Sequence, residues 1–185
     1  IKTELRDAPS LPLGASDVNL TDLVGAYASV ANCGEHNSPY TIEKIEDSDG
    51  KVVYEHHRDV HTVLNPQEAY YMQALLNASV SDAGGTSQSL VSPSYIGQWY
   101  WNKSLDVGGK TGTSNSHADA WFVGVTPKLV GGAWVGGEYR QIHFRSGALG
   151  QGSRTALPIF GLFMRKVLSD RTLAPKYLAK YPVPE

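Results

Sequence analysis

The chain has 185 residues, and 16 basic against 18 acidic side chains leave a formal net charge of −2. Hydrophobic residues make up 41% of it, and the 19 glycines bring the apolar share to the usual globular proportion, which excludes a disordered chain. The near-neutral balance gives no reason to expect nucleic acid or an anionic membrane as partner. A single cysteine, Cys33, excludes an internal disulfide and a Cys-rich metal site. No apolar run approaches the ~20 residues of a membrane span.

The first predicted element is a helix over residues 19–34. Asn19 or Thr21 is its expected N-cap and Gly34 its expected C-cap. Its apolar positions repeat at helical spacing and form one stripe: Leu20, Leu23, Val24, Tyr27, Val30 and Ala31. We expect Cys33 at its end to be a buried small side chain.

A hairpin and a second helix follow. Residues 40–46 and 51–57 read as strands, and the Asp49-Gly50 pair between them is a strong turn signal. Asn65-Pro66 opens a second helix, because a proline in the first turn loses no hydrogen bond. Its predicted buried face consists of Met72, Leu75 and Leu76.

The second half of the chain alternates between loop, strand and helix signals. Residues 79–104 are rich in serine and glycine and predict a long ordered loop. Strands are predicted over residues 107–114, 118–125 and 129–139. A last helix carries a wide apolar stripe made of Ala156, Ile159, Phe160, Phe163, Met164, Val167 and Leu168. After Asp170 we expect a peripheral tail. This order predicts an α+β fold, an antiparallel β-sheet packed by helices, over one unit spanning residues 1–185.

The most informative segment for function is residues 108–114, Gly-Gly-Lys-Thr-Gly-Thr-Ser. Alternation along a strand sends Thr111 and Thr113 to one face and Lys110 and Gly112 to the other. Glycine inside a strand often marks the close approach of a ligand or of another backbone. A cation, two hydroxyls and free N–H groups form a suitable seat for a carboxylate or a phosphate.

One family that uses such a cluster is the P-loop nucleotide-binding proteins. Gly109-Lys110-Thr111 matches the end of their motif, but the motif places its first glycine at Ser104. A P-loop also leads into a helix, whereas residues 118–125 predict a strand. We keep a nucleotide enzyme as a remote alternative.

The segment resembles more closely the Lys-Thr-Gly element of the penicillin-binding proteins and serine β-lactamases. Residues 109–115, then 119–124 and 133–136, are similar to consecutive strands of the transpeptidase domain in class A, bifunctional penicillin-binding proteins. Residues 13–34 resemble the helix after that family's active-site centre, and residues 156–164 its closing helix. The resemblance covers roughly residues 11–168.

This resemblance implies an acyl-serine D,D-transpeptidase that acts on peptidoglycan stem peptides and is inhibited by β-lactams, without a cofactor. It implies that Lys110 orients substrate and assists proton transfer, that the hydroxyls of Thr111 and Thr113 bind a carboxylate, and that the N–H of Thr113 is one oxyanion donor. Gly112 would let the acyl group lie against the strand. Such proteins work at the outer face of the bacterial cytoplasmic membrane.

The nucleophile motif of the family, Ser-x-x-Lys at a helix start, has no convincing counterpart. Ser48-x-x-Lys51 matches by spacing, but it lies in the predicted hairpin turn, where no base is held beside the serine. Ser-x-Asn, which forms the opposite wall in the family, is missing, and Tyr100-x-Asn102 imitates a variant of it out of order. Because the chain also begins at Ile1, we expect an excised C-terminal portion that is inactive alone. A non-catalytic peptide-binding module with the same groove is the alternative.

A few other residues invite a functional interpretation. The run from His56 to His61 has metal-like spacing but lacks a helix, and it predicts a solvated strand end. His117 is a candidate lining residue of the groove, and Asp119 is expected to anchor a turn. Three aromatic residues, Trp99, Tyr100 and Trp101, are expected to pack rather than to bind. Four more are assigned to the core: Trp121, Trp134, Phe160 and Phe163. If the chain is a portion of a domain, it should expose apolar faces, and we expect it to associate with itself or with the rest of that domain.

Overall fold

The computed structural model describes residues 1–184, without the side chains of Trp99 and Asn102. Its helices are α1 (Leu20–Ala31), α2 (Pro66–Ser81), α3 (Gln98–Lys103), α4 (Gly147–Gly150), α5 (Ala156–Ser169) and α6 (Ala174–Tyr177). Its strands are β1 (Glu35–Asn37), β2 (Lys44–Glu46), β3 (Val52–Glu55), β4 (Val60–Thr62), β5 (Gly108–Thr113), β6 (Asp119–Val125) and β7 (Val130–Gly136). The predicted α+β class is confirmed.

The main sheet is antiparallel and has the order β5-β6-β7. In its register Thr111 lies opposite Phe122, which lies opposite Ala133. The three strands predicted from the sequence are therefore confirmed, and they pair with their nearest neighbours in the chain. Within the described residues, β5 and β7 are the two edges of this sheet.

Helices cover both faces of the main sheet. Successive residues of a strand point to opposite faces, and Gly131 and Gly132 illustrate this on β7. A Cβ atom at Gly131 would lie 3.1 Å from the ring of Phe160 in α5, and one at Gly132 would lie 2.5 Å from Val24 in α1. Both helices therefore pack directly on the strand backbone, α5 on one face and α1 on the other.

The core lies mainly between the sheet and α5. Phe122 is fully buried, and its ring centroid is 5.6 Å from that of Phe160. Around this pair pack buried residues from several elements, among them Leu90, Leu105, Val107, Leu157 and Met164. Ile159 and Phe163 were predicted to join this face, but each is 51% exposed, because the side of α5 that meets the core carries residues such as Leu157 and Gly161 instead. Trp134 also lies partly outside, so its assignment to the core is wrong.

Helix α1 begins where the sequence predicts and ends earlier. The side chain of Asn19 accepts a hydrogen bond from the N–H of Thr21 at 2.8 Å, which confirms the N-cap. The C-cap is Asn32, not Gly34. The chain reverses through Cys33 and Gly34, which both have positive φ, and then enters β1. Cys33 sits on this reversal and is exposed, so its predicted burial is wrong.

Helix α2 has its predicted start but a different buried face. Asn65 and Glu68 form a capping box. Met72 and Leu75 are 41% and 67% exposed, which contradicts their assignment to the core. The buried positions are instead Ala69, Gln73, Leu76 and Val80. The amide of Gln73 donates to the carbonyl of Val30 in α1 at 2.7 Å, so a polar residue can occupy the buried face.

Three peripheral regions also depart from the sequence prediction. The stretch 79–104 is not a continuous loop, because it contains a 3₁₀ turn at Gln88–Val91 and the helix α3. The predicted hairpin exists as β2–β3 but is shorter at both ends. Strands β1 and β4, which flank it, form a second antiparallel pair that the periodicity did not indicate.

The segment after Asp170, expected to be peripheral, contacts the core at two points. Leu178 packs against the main cluster, and Tyr181 packs against the smaller cluster of Leu76, Val123 and Val125. The carboxylate of Asp106 holds this segment, because it accepts from the N–H of Tyr181 at 2.9 Å.

Candidate functional site

A depression with a volume of about 470 Å³ lies beside the β5 edge of the sheet. Thr111 and Thr113 line it from one side, as expected for alternate residues of a strand. The β5–β6 turn forms a second wall, and residues 151–153 form a third. Lys110 is exposed and does not line it; its Nζ donates to the carbonyl oxygen of Thr111 at 2.7 Å.

The two threonine hydroxyls are held by different partners. Thr111 Oγ1 donates to Thr86 Oγ1 at 3.2 Å. Thr113 Oγ1 accepts from the backbone N–H of Gly152 at 3.1 Å. A hydroxyl that accepts from an N–H keeps its own proton available. Thr113 can therefore donate a hydrogen bond into the depression.

Gly152 is the site residue that sequence reasoning missed. A Cβ atom there would overlap the carbonyl oxygen of Trp121 and would lie 2.7 Å from that of Gly112. Only glycine lets residues 151–153 approach the strands this closely. The signal in the sequence was the run Gly147-Ala-Leu-Gly-Gln-Gly152, which places three glycines within six residues.

The turn that leads from β5 to β6 is fixed by one carboxylate. Ser114 Oγ donates to Asp119 Oδ2 at 2.8 Å and accepts from the N–H of Asp119 at 2.8 Å. The other oxygen, Oδ1, accepts from Trp134 Nε1 at 3.1 Å. The expectation that Asp119 anchors a turn is confirmed, and its carboxylate is engaged by these partners rather than lining the depression.

His117 lines the depression, as the sequence suggested. It and Ser116 are consecutive non-glycine residues with φ of 58° and 59°, a left-handed conformation that β-carbons disfavour. The Nδ1 atom of His117 is buried without a hydrogen-bond partner among the described residues. A strained turn and an unpaired buried nitrogen therefore meet at the same residue.

The depression suits an anion by its composition. Its lining residues among those described are hydroxyl, amide, glycine and imidazole side chains, and none of them is a carboxylate. A ligand carboxylate would therefore meet several donors and no like charge.

The other candidates do not join this site. His56 stacks on Tyr40, and His36 and His61 contact each other edge to face. Ser48 is exposed in the turn between β2 and β3, so its Ser-x-x-Lys spacing has no helix start behind it. Tyr100 and Trp101 pack on the core as expected, whereas the side chains of Trp99 and Asn102 lie outside the described residues.

The P-loop alternative is wrong. The segment Gly108–Thr113 is a strand, and it continues through a single 3₁₀ turn, Asn115–His117, into β6. A P-loop needs a helix at this point, whose N-terminal N–H groups would bind phosphate.

The antiparallel sheet with helices on both faces, and with the Lys-Thr-Gly segment on its edge strand, is consistent with the transpeptidase domain that the sequence resembles. The sequence model of the penicillin binding protein transpeptidase domain matches residues 7–143, and the chain therefore belongs to this family. It is 33% identical to penicillin-binding protein 1A of Rickettsia conorii over 186 aligned residues. That alignment covers 95% of this chain but 23% of the Rickettsia protein.

Solved structures agree with this assignment. Penicillin-binding protein 1A of Haemophilus influenzae superimposes with a TM-score of 0.78 at 25% identity, over 96% of this chain and 29% of that one. Penicillin-binding protein A of M. tuberculosis, solved as a ceftriaxone acyl-enzyme complex, gives a TM-score of 0.56 at 19% identity, over 75% and 30% of the two chains. The second likeness shows the fold alone.

Proposed function

We propose that this chain carries the substrate-binding strand of a peptidoglycan D,D-transpeptidase that works through an acyl-serine and is a target of β-lactams. In this proposal the hydroxyls of Thr111 and Thr113 bind the carboxylate of a stem peptide. The N–H of Thr113 helps to hold the oxyanion, and Gly112 lets the acyl group lie against the strand. Lys110 orients the substrate and assists proton transfer.

One observation carries the proposal: two threonine hydroxyls share a depression whose described lining has no carboxylate. Thr113 supports it further, because its oxygen already accepts from Gly152 and its proton remains available. Lys110 adds a cation at the same edge. It is exposed and is bonded only within its own strand among the contacts described, so it can reach a ligand after a change of rotamer.

The proposed chemistry needs a group that these 185 residues do not provide. A serine oxygen attacks the carbonyl carbon of the donor peptide, and its proton passes to a neighbouring base and from there to the nitrogen of the terminal residue. That residue leaves as an amine, and the peptide remains on the serine as an ester. The only Ser-x-x-Lys in the sequence, Ser48 to Lys51, lies in an exposed turn. We therefore propose that the chain is the C-terminal portion of a transpeptidase domain and does not catalyse acyl transfer alone.

Labelling with a fluorescent penicillin tests this point. The expected result is no covalent adduct on the 185-residue chain, and no difference between the wild-type chain and the Ser48→Ala variant. An adduct that survives denaturation would mean that the chain holds a nucleophile of its own. Mass spectrometry of the labelled peptide would then identify it.

A binding assay tests the substrate seat without catalysis. A fluorescein-labelled peptide that ends in D-alanyl-D-alanine should bind the chain, and the Thr113→Val variant should weaken it by about tenfold, because it loses a hydrogen bond to a charged group. Thr172→Val is the matched control, since Thr172 bonds to Asp170 far along the chain. Equal binding by the two variants would exclude Thr113 from the seat.

We also propose that the chain associates, either with the remainder of a transpeptidase domain or with itself. The outer edge of β7 is unpaired within the described residues, and Ile159, Leu162 and Phe163 expose apolar surface on α5. An open strand edge beside an apolar face favours association. Light scattering should give a mass above 20 kDa or detect a bound second polypeptide. A clean monomer would contradict this.

A non-catalytic peptide-binding module is the second candidate, and the missing nucleophile favours it. The same groove would then hold a peptide without transferring its acyl group. An in-frame Ser-x-x-Lys upstream of Ile1 supports the enzyme, and a natural start near Ile1 supports the module. Cloning and sequencing the upstream reading frame decides between them.

For location, we propose the outer face of the bacterial cytoplasmic membrane, where stem peptides are cross-linked. None of the helices described here has the length and apolarity to span a membrane. Any anchoring would therefore need other segments. Protease treatment of spheroplasts should degrade the protein, and protection until lysis would contradict this location.

A further inference from the structure

The turn Asn115–His117 lies at the mouth of the depression in a strained backbone conformation. Ser116 and His117 both have the left-handed backbone conformation, which is strained for residues other than glycine. Both residues lie in the turn whose two ends, Ser114 and Asp119, are joined by hydrogen bonds. The strained turn therefore places the His117 side chain at a depression large enough for a ligand.

The imidazole is oriented by the segment that packs against it. A Cβ atom at Gly150 would lie 2.7 Å from Cβ of His117, and one at Gly147 would lie 3.3 Å from its Cε1. These two glycines of α4 therefore pack closely against the His117 side chain, Gly150 at its Cβ and Gly147 at its ring. The ring is held with Nδ1 inside the protein, where that atom is buried without a partner among the described residues.

The burial of Nδ1 determines which ring nitrogen of His117 can donate a hydrogen bond to a ligand in the depression. A proton on Nδ1 would be a buried donor without an acceptor, which native proteins rarely tolerate. In the neutral ring the proton therefore resides on Nε2. Because His117 lines the depression and its other nitrogen is enclosed, Nε2–H is the donor that it offers to a ligand.

We propose that His117 is a specificity-determining binding residue: its Nε2–H donates to the carboxylate that Thr111 and Thr113 bind, and so selects peptides with a free terminal carboxylate. This inference rests on the proposed function of the groove. The imidazole adds a directional donor at the wall formed by the β5–β6 turn, beside the hydroxyl of Thr113. A ligand with a neutral carboxamide gains less from this donor, because hydrogen bonds to charged acceptors are stronger.

Two substitutions separate binding from folding. Asparagine tolerates the left-handed conformation well, so His117→Asn should keep the backbone conformation of the turn. Its amide extends only to the position of Nδ1 in histidine, so the donor at the position of Nε2 is lost. Glutamine places its amide nitrogen near the position of Nε2, so His117→Gln keeps the donor. Thermal unfolding of both variants checks that the fold is retained.

The measurement is fluorescence anisotropy of two fluorescein-labelled peptides that end in D-alanyl-D-alanine, one with a free carboxylate and one with a carboxamide. We expect His117→Asn to weaken the carboxylate peptide about tenfold, to leave the carboxamide peptide within about twofold, and His117→Gln to restore most of the loss. Unchanged binding by His117→Asn overturns the inference. Equal losses for both peptides overturn it too, because they indicate a structural role.

The proposed function fails by a different pattern. If the wild-type chain binds neither peptide, or if Thr113→Val binds both like the wild type, the groove is not the peptide seat and the role of His117 falls with it. If the wild-type chain binds and Thr113→Val does not, while His117→Asn binds normally, only the role of His117 is rejected.

Discussion

The backbone N–H of Gly152 donates to the hydroxyl of Thr113 at 3.1 Å, which joins the segment before α5 to the strand that carries the Lys-Thr-Gly motif. The bond reaches across 39 positions of the sequence. It sets the orientation of the threonine hydroxyl and leaves its proton for a ligand. The geometry of the candidate site therefore depends on a contact outside the motif itself.

Gly152→Ala should destabilise the chain and disorganise the site. Its Cβ would collide with the carbonyl oxygens of Trp121 and Gly112, and overpacking of this kind costs about 1–3 kcal/mol. Urea denaturation measures the loss. Gly25→Ala is the matched control, because the nearest atom to its Cβ is 3.8 Å away and alanine favours a helix interior. A variant at 152 that is as stable as this control would contradict the close approach.

Phe122→Ala should lower the free energy of unfolding by about 3–5 kcal/mol, because it empties a fully buried position against Phe160. Phe163→Ala makes the same chemical change on the exposed side of α5 and should cost less than about 1 kcal/mol. The comparison tests which face of α5 is buried. Similar losses at the two positions would mean that the outer face of α5 is also covered in solution.

Asn65→Ala should cost about 1 kcal/mol, because it removes the side-chain oxygen that accepts from the N–H of Glu68, while the backbone N–H of residue 65 can still donate to the Glu68 carboxylate. Asn65→Asp keeps an acceptor at the N-cap and should retain most of the stability. Chemical denaturation of the two variants provides the measurement. A loss of equal size in both would point to a contact other than the cap.

The buried hydroxyl of Tyr181 should make the stability of the fold decrease at alkaline pH. Burial, followed by the charges of Asp106 and Cys33, raises the pKa of Tyr181 well above its ordinary value of 10. The neutral phenol therefore stabilises the fold fully below pH 10, which is the ordinary pKa of tyrosine in the unfolded chain. This stabilisation is lost as the pH rises from 10 towards the higher pKa of the folded state. Tyr181→Phe should flatten the fall in stability above pH 10.

The same substitution has a second expected outcome at neutral pH. The hydroxyl of Tyr181 is buried without a hydrogen-bond partner among the described residues. Removing it should leave the stability unchanged or slightly higher. Thermal unfolding at pH 7 and pH 10.5 tests both points, and a clear loss at pH 7 would indicate a partner for the hydroxyl.

Local signals in the sequence predicted the elements that local chemistry determines. Asn19 and Asn65 mark helix starts, because an N-cap needs only a short acceptor side chain beside free N–H groups. The strands around Lys110 and Trp121 follow from turn residues and from β-branched or aromatic runs. The threonine pair on one face of β5 follows from the two-residue period of a strand.

These local signals did not predict which face of a helix is buried or which residues far apart in the sequence are in contact. Met72 and Leu75 are apolar and exposed, whereas Gln73 is polar and buried, because a carbonyl of another helix accepts from its amide. Cys33 is exposed because the chain reverses beside it.

By itself, the sequence determined the family, the three longest helices, the strands of the main sheet and the Lys-Thr-Gly segment, since each of these depends on residues that are close along the chain. Only the tertiary structure decided which side of each helix is buried, that Gly152 supports Thr113 and that His117 faces the depression. These features arise from packing between segments far apart in sequence, where the shape and hydrogen bonding of the partner outweigh the polarity of a single residue.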